Sequence, residues 1–178
     1  MKVIAIGAVT AGGKTTVVNA LKERLPKAEA LYFDDYSFEG EEEAYAEIMN
    51  GTKTADYDVW NLSPLKEDAE RIINSGECDC LLLDYPFAYR HSMMKDMIDC
   101  CIFIDTPLDI AMARRVLRDM KDASADEIRG EMESYLKYAR IGYVQMLENV
   151  LPSSDYVIDG SKEITEIVGE VLEIIGKC

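Results

Sequence analysis

Val3-Ile4-Ala5-Ile6-Gly7-Ala8-Val9-Thr10-Ala11-Gly12-Gly13-Lys14-Thr15 carries more structural information than any other segment of this chain. Val3–Ile6 is a short, mostly β-branched run, the pattern of a strand buried on both faces. Behind it, Ala8 is followed by four free residues and then Gly13-Lys14-Thr15, the spacing of a phosphate-binding loop between a strand and a helix. The chemistry needs each part. Glycines let successive backbone N–H groups close around phosphate oxygens, and the helix that follows adds its positive N-terminus. Val9, Thr10, Ala11, Gly12, Gly13, Lys14, Thr15 and Thr16 would therefore hold a nucleoside triphosphate. Lys14 would reach the β- and γ-phosphates, and the Thr15 hydroxyl would ligate Mg²⁺. Ala8 stands where the motif has its first glycine; alanine is the smallest replacement and should fit. The bland alternative is a glycine turn before a helix that carries an exposed lysine.

Outward from this loop the chain alternates strand and helix. Thr15–Leu25 reads as a helix closed by Pro26, and Ala30–Phe33 as a strand that stops at Asp34-Asp35. A helix is expected over 39–51, its Glu41-Glu42-Glu43 start complementing the helix dipole. Another is expected from Ser63-Pro64 to Ser75-Gly76, with Ser63 as N-cap. Cys80–Asp84 and Cys100–Asp105 are two buried strands, each ending in an aspartate. A helix begins at Thr106-Pro107 and runs to about Met120. Ser124 and Glu127 form a capping box that opens a long helical pattern over 124–151. Tyr156–Asp159 is the fifth strand, and Glu163–Ile175 a last helix ended by Gly176. The expectation is an α/β fold of the P-loop NTPase type, a five-stranded parallel sheet with helices on both faces. Ligands in such sheets bind at the carboxyl ends of the strands.

The chain has 178 residues and a net charge of −15. That length predicts a single domain. The charge is a poor match for nucleic acid or an anionic membrane, both of which favour basic surfaces. Residues 1–33 alone carry a net +3, one small basic region in an acidic protein. No apolar run reaches the roughly 18–20 residues that span a bilayer, and neither end reads as a signal peptide or a prenylation box. The five cysteines, Cys78, Cys80, Cys100, Cys101 and Cys178, are an odd number, and the close pairs flank apolar runs. They read as reduced core thiols rather than metal ligands, and the protein as cytoplasmic.

A phosphate loop by itself implies only a nucleoside triphosphate. No Asn-Lys-x-Asp stretch for guanine is present, which disfavours a GTPase. Together, the loop, the Asp34-Asp35-Tyr36 turn, Tyr57-Asp58-Val59 and Ala113-Arg114-Arg115-Val116-Leu117-Arg118-Asp119 resemble the uridine kinase-like family. The nearer likeness is to its nicotinamide riboside kinase branch. Looser echoes are Met132–Arg140 and Val157-Ile158-Asp159-Gly160-Ser161-Lys162. The resemblance runs in order along the chain, which looks shorter than many members around the lid and the acceptor region.

The resemblance implies roles residue by residue. Asp34 matches the family's general base, which orients the acceptor hydroxyl and takes its proton; a solvated turn or helix cap is the alternative. Asp84 ends its strand where relatives tend to have a glutamate, and would hold Mg²⁺-bound water or the substrate. Arg114, Arg115 and Arg118 resemble the lid arginines that close over ATP, and guanidinium forks suit a transferring phosphoryl group. Salt bridging to Asp109, Asp119 or Asp122 would also explain them. Tyr57 and Asp58 match positions that contact ribose and base, and equally an acidic loop with a packed tyrosine. Trp60 and Phe38 would wall a pocket or simply be core. His91 reads as a surface or helix-start residue. The lid is expected at about 114–135, and an acceptor-side insertion at about 34–78.

Residues 34–80 contain fourteen acids against Lys53, Lys66 and Arg71. A kinase of nucleoside monophosphates needs cations for a second phosphate, commonly paired arginines, and this stretch cannot readily supply them. The acceptor is expected to be a neutral or cationic alcohol. The reading is an ATP- and Mg²⁺-dependent kinase of a nucleoside 5′-hydroxyl, of uridine, cytidine or nicotinamide riboside type. Its rivals are a same-fold kinase of another alcohol, such as a cofactor precursor or an antibiotic, and a non-catalytic nucleotide-binding regulator. Whether the chain forms a homo-oligomer is open in the sequence.

Overall fold

The computed structural model describes residues 1–40, 42–43, 46 and 56–178. Five strands form one parallel sheet: β1 (Lys2–Ala8), β2 (Ala28–Tyr32), β3 (Cys80–Asp84), β4 (Cys100–Asp105) and β5 (Tyr156–Asp159). Their order across the sheet is β2-β3-β1-β4-β5. Successive side chains of a strand point to opposite faces, and here both faces are covered. Val3, Ala5, Leu81, Leu83, Cys101 and Phe103 join one core with α2 (Ser63–Ser75) and α4 (Leu108–Asp119). Ile4, Ile6, Leu82, Ile102 and Ile104 join the other, under α1 (Lys14–Arg24) and α7 (Ile164–Lys177). That two-sided burial is why the inner strands read as unbroken apolar runs.

The helices follow the expected order with three local differences. The N-cap of α2 is Leu62, and Ser63 is already helical. Asn61 does the capping work instead: its side-chain oxygen accepts from the Ser63 N–H at 3.2 Å and from the Ser63 hydroxyl at 2.7 Å. Gly76, at φ +66°, ends that helix in the left-handed conformation glycine tolerates. Gly176, by contrast, stays inside α7, which runs to Lys177. The long pattern after Ser124 opens with the expected capping box at α5 (Ala125–Ser134). It then passes through a π-turn at Tyr135–Ala139, α6 (Arg140–Gln145) and a second π-turn at Met146–Val150. Most of the helix expected over 39–51 lies outside the described residues, as does Lys53. A one-turn helix, α3 (Ser92–Lys95), precedes β4. No helix among the described residues is long and apolar enough to cross a membrane.

The order of strands positions the site. β1 lies at the centre, flanked by β3 and β4, so the loop after Ala8 emerges between the ends of both neighbours. In register, Ile6 faces Asp84 and Ala8 faces Ile104. Whatever follows those two strands therefore adjoins the loop.

Candidate active site

The glycine loop closes on itself before α1 begins. The Gly12 N–H donates to the Val9 carbonyl at 2.8 Å, and Ala11 and Gly13 take positive φ values of 58° and 102°. Gly13 is thus the N-cap of α1, in a conformation that costs a residue with a β-carbon about 1–2 kcal/mol. Lys14, Thr15 and Thr16 begin the helix, where the first N–H groups have no intrahelical partner. This is an anion cradle built from backbone.

Asp84 lies beneath it, 4% exposed. Its Oδ2 accepts the Thr15 hydroxyl hydrogen at 2.5 Å, and its Oδ1 lies 3.1 Å from the Lys14 ammonium. No donor is aligned on Oδ1, so the contact with Lys14 is an ion pair without hydrogen-bond geometry. Although an aspartate is shorter than the glutamate relatives tend to have, the carboxylate meets the Thr15 hydroxyl directly. A hydroxyl and a carboxylate in one buried corner are hard oxygen donors of the kind Mg²⁺ takes, with phosphate oxygens and water completing its shell.

A cavity of about 980 Å³ opens above the loop. The loop residues from Ala8 to Thr16 line one side. Asp34 and Phe33, just beyond the end of β2, line another with Trp60, Pro86 and Phe87. Arg114, Arg115 and Arg118 of α4 reach it across the top, and Ala139, Gly142, Tyr143 and Met146 close it from the interrupted helix. The structure therefore gathers Asp34, Lys14, Thr15 and all three arginines at one cavity. Asp34 is solvent-exposed, on a short 3-10 turn over Phe33–Asp35.

The arginines are not equivalent. Arg114 donates both terminal nitrogens to the Gly160 carbonyl at 3.4 Å. Arg115 pairs with Glu131 of α5 at 2.7 Å, tying α4 to α5. Arg118 makes a fork to its neighbour Asp119 at 2.6 and 2.9 Å. That bond, with the charges of Asp119 and Asp34, holds the Arg118 guanidinium above its ordinary pKa against some burial. Arg118 and Asp34 therefore lie within each other's field. Of the acidic partners anticipated, Asp119 pairs with Arg118 and, at helical spacing, lies 3.9 Å from Arg115, while Glu131 is a partner no local spacing pointed to.

Tyr57 and Asp58 are not brought to this cavity. Tyr57 is buried in the aromatic core, its ring centroid 5.2 Å from that of Phe87. Asp58 accepts the Ser92 N–H at 2.7 Å at the start of α3. His91 is the N-cap of α3, as a helix-start residue should be, but it is buried rather than on the surface. Its Nδ1 accepts the Met93 N–H at 3.2 Å, which leaves Nε2 to donate to the Trp60 carbonyl at 2.9 Å. Trp60 is both core and cavity wall; Phe38 is buried in the same core, 6.2 Å from it. Tyr143 and Met146 line the cavity and carried no signal, because their positions depend on how distant helices fold back; Lys162 also lines it and was marked only as the end of a loose family echo. Thr106 was read only as a helix start. It is fully buried and donates its hydroxyl to the Gly12 carbonyl at 2.8 Å.

The chain is similar to known kinases in sequence and in fold. The chain is 25% identical to the uridine kinase of Borrelia turicatae over 178 aligned residues, covering 89% of this chain and 86% of that one. It is 32% identical over 91 residues to a chloroplastic uridine/cytidine kinase of Arabidopsis thaliana, covering 51% of this chain but 18% of that longer protein. The solved structure of a sugar kinase from Janibacter superposes with a TM-score of 0.61 at 16% identity, over 97% of this chain and 93% of that one. No family model matches the chain. The chain is similar in sequence to uridine kinases, its fold is that of the P-loop kinases, and it is a phosphotransferase.

Proposed function

We propose that this chain transfers the γ-phosphoryl group of Mg·ATP to the 5′-hydroxyl of a nucleoside, of uridine, cytidine or nicotinamide riboside type. The observation that carries the proposal is a single cavity with a phosphate loop on one side and an exposed carboxylate beside an aromatic wall on another. ATP would place its phosphates in the loop from Val9 to Thr16, with Lys14 on the β- and γ-phosphates and Arg115 over the nucleotide. Thr15 and Asp84 would hold Mg²⁺, which neutralises phosphate charge. Asp34 would accept the proton of the acceptor hydroxyl as its oxygen bonds to the γ-phosphorus. The bond to the β-phosphate oxygen breaks and ADP leaves, with Arg114 and Arg118 balancing the charge that develops. Such catalysis is mostly positioning and electrostatics.

Phe33, Trp60, Phe87, Tyr143 and Met146 would give the acceptor's ring a largely apolar, aromatic wall to pack against. The cavity's cations, Lys14, Arg114, Arg115, Arg118 and Lys162, come from the loop, α4 and the segment before α7. Among the described residues none comes from the 34–80 stretch, which favours an acceptor without a phosphate of its own. We assign the chain to the cytoplasm as one domain over 1–178, with the lid at about 114–135 and the acceptor side at about 34–78.

The test is ADP release from Mg·ATP across uridine, cytidine, adenosine, nicotinamide riboside and simple alcohols, with Lys14→Ala and Asp34→Asn controls. An acceptor-dependent signal lost in both variants is expected. ATP turnover that ignores every acceptor would overturn the proposal.

A further inference from the structure

The phosphate loop is tethered from outside. Thr106, the residue after β4, is fully buried, and its hydroxyl donates to the Gly12 carbonyl at 2.8 Å. A trans peptide points its carbonyl and the next N–H in opposite directions. Fixing the Gly12 carbonyl on Thr106 therefore turns the Gly13 N–H away from Thr106. Gly13 has no β-carbon and a φ of 102°, so this peptide has little intrinsic preference to hold it. A buried partner is what selects one orientation.

Thr106 is itself pinned. A β-carbon built on Gly160 would lie 2.0 Å from the Thr106 hydroxyl oxygen and 2.9 Å from its Cα. Only glycine lets the chain after β5 pass so close. The Gly160 N–H donates to the Asp105 carbonyl at 2.9 Å, and the Gly160 carbonyl accepts from Arg114. The loop, the ends of β4 and β5, and a lid arginine thus share one continuous set of contacts centred on one hydroxyl.

We infer that Thr106 is a positioning residue for the nucleotide: its hydroxyl holds the Gly12–Gly13 peptide with the Gly13 N–H presented to the phosphates, and Gly160 keeps that hydroxyl in place. The inference rests on the reading that this loop binds ATP. Thr106 touches no phosphate; it acts through the peptide it fixes. Without the hydroxyl the Gly12 carbonyl loses its buried donor, and the peptide is free to turn its oxygen toward the phosphates, where it repels them.

The test compares wild type with Thr106→Val, Thr106→Ser and Gly160→Ala. ATP affinity is read by calorimetry, and amide hydrogen exchange over residues 9–16 in nucleotide-free protein. Valine keeps the shape and removes the donor; about tenfold weaker ATP binding and faster loop exchange are expected, the scale of one lost hydrogen bond. Where turnover is measured, KM for ATP rises and kcat changes less. Serine restores the donor and should return affinity to within about twofold of wild type. Gly160→Ala, which displaces the hydroxyl without removing it, should weaken ATP binding in the same direction. Wild-type affinity and exchange in Thr106→Val would overturn the inference. Equal damage from serine and valine would do so too, since the methyl rather than the donor would then matter. If Thr106→Val does not fold, wild-type affinity in Gly160→Ala overturns it. A wild-type protein that binds no ATP would refute the kinase reading and with it the nucleotide role of Thr106, whereas wild-type binding left unchanged in Thr106→Val would refute the role of Thr106 alone.

Discussion

The methyl group of Ala8 fills the space that a side chain on Gly12 would need. A β-carbon on Gly12 would lie 2.8 Å from the Ala8 β-carbon and 2.7 Å from the Val9 carbonyl oxygen. Alanine at the head of the loop is therefore accommodated because position 12 is glycine. The departure from the usual motif is thus matched within the loop itself.

Gly12→Ala should open the loop and weaken ATP binding by at least about tenfold, because one of its two clashes is with backbone that cannot move independently. Gly13→Ala meets nothing within 4 Å but must adopt φ 102°. Its penalty is conformational strain alone, about 1–2 kcal/mol. Calorimetric titration with ATP and urea unfolding separate the two. Gly12→Ala should lose binding out of proportion to stability.

Asp84→Asn removes the charge facing Lys14, whose side chain is 13% exposed. Leaving a largely buried cation without its counter-charge should cost about 1–3 kcal/mol of folding stability. If Asp84 also helps hold the metal, the Mg²⁺ concentration needed for turnover should rise. Unfolding curves and Mg²⁺ titrations of the rate check the two effects independently; an unchanged Mg²⁺ requirement would remove Asp84 from the metal site.

Asp34→Asn should lower turnover by about 10²–10⁴, the contribution of a general base. Its melting temperature should stay close to wild type, since Asp34 is exposed and holds no core contact. Intact turnover in this variant would assign the base elsewhere.

Tyr36 and Asp68 link the segment after Asp34 to α2. The Tyr36 hydroxyl donates to Asp68 at 2.9 Å, and Arg71 pairs with the same carboxylate. Arg71 foremost, then Tyr36, hold the Asp68 carboxyl below its ordinary pKa. A carboxyl depressed in the folded state contributes stability above its unfolded value, about 3.9, and loses it as pH falls through the folded value. The melting gap between wild type and Asp68→Asn should thus be full at neutral pH and close in acid. A gap that persists below about pH 2 would contradict this.

Four of the five cysteines are buried. Burial raises the Cys80 thiol to about 11 and the Cys101 thiol to about 12, and raises Cys78 and Cys100 as well. Thiolate is the reactive form. A disulfide reagent at neutral pH should label one thiol rapidly, the exposed Cys178, and the other four only after denaturation. Rapid labelling of two or more would show that the strand ends open to solvent.

The sequence by itself determined most of the elements and the glycine loop between β1 and α1. Strands buried on both faces announce themselves as apolar runs, and Cys80–Asp84, Cys100–Asp105 and Tyr156–Asp159 end where they were read to end. The phosphate loop was legible because its chemistry is carried by consecutive residues and by backbone. Caps were less secure: the Asn61 side chain rather than that of Ser63 caps α2, since several nearby oxygens compete for the same free N–H groups. The tertiary structure alone decided which distant side chains line the cavity and which support it. Tyr57 and Asp58 look like substrate contacts in one dimension, yet the packing of Phe87 and the start of α3 claim them. Thr106 gives no local sign of holding Gly12, 94 residues away, and neither does Glu131 of holding Arg115. Local propensity and motif spacing act over a few residues. Which side chains meet across the sheet depends on strand order and register, and these are fixed only when both faces of the sheet are buried together.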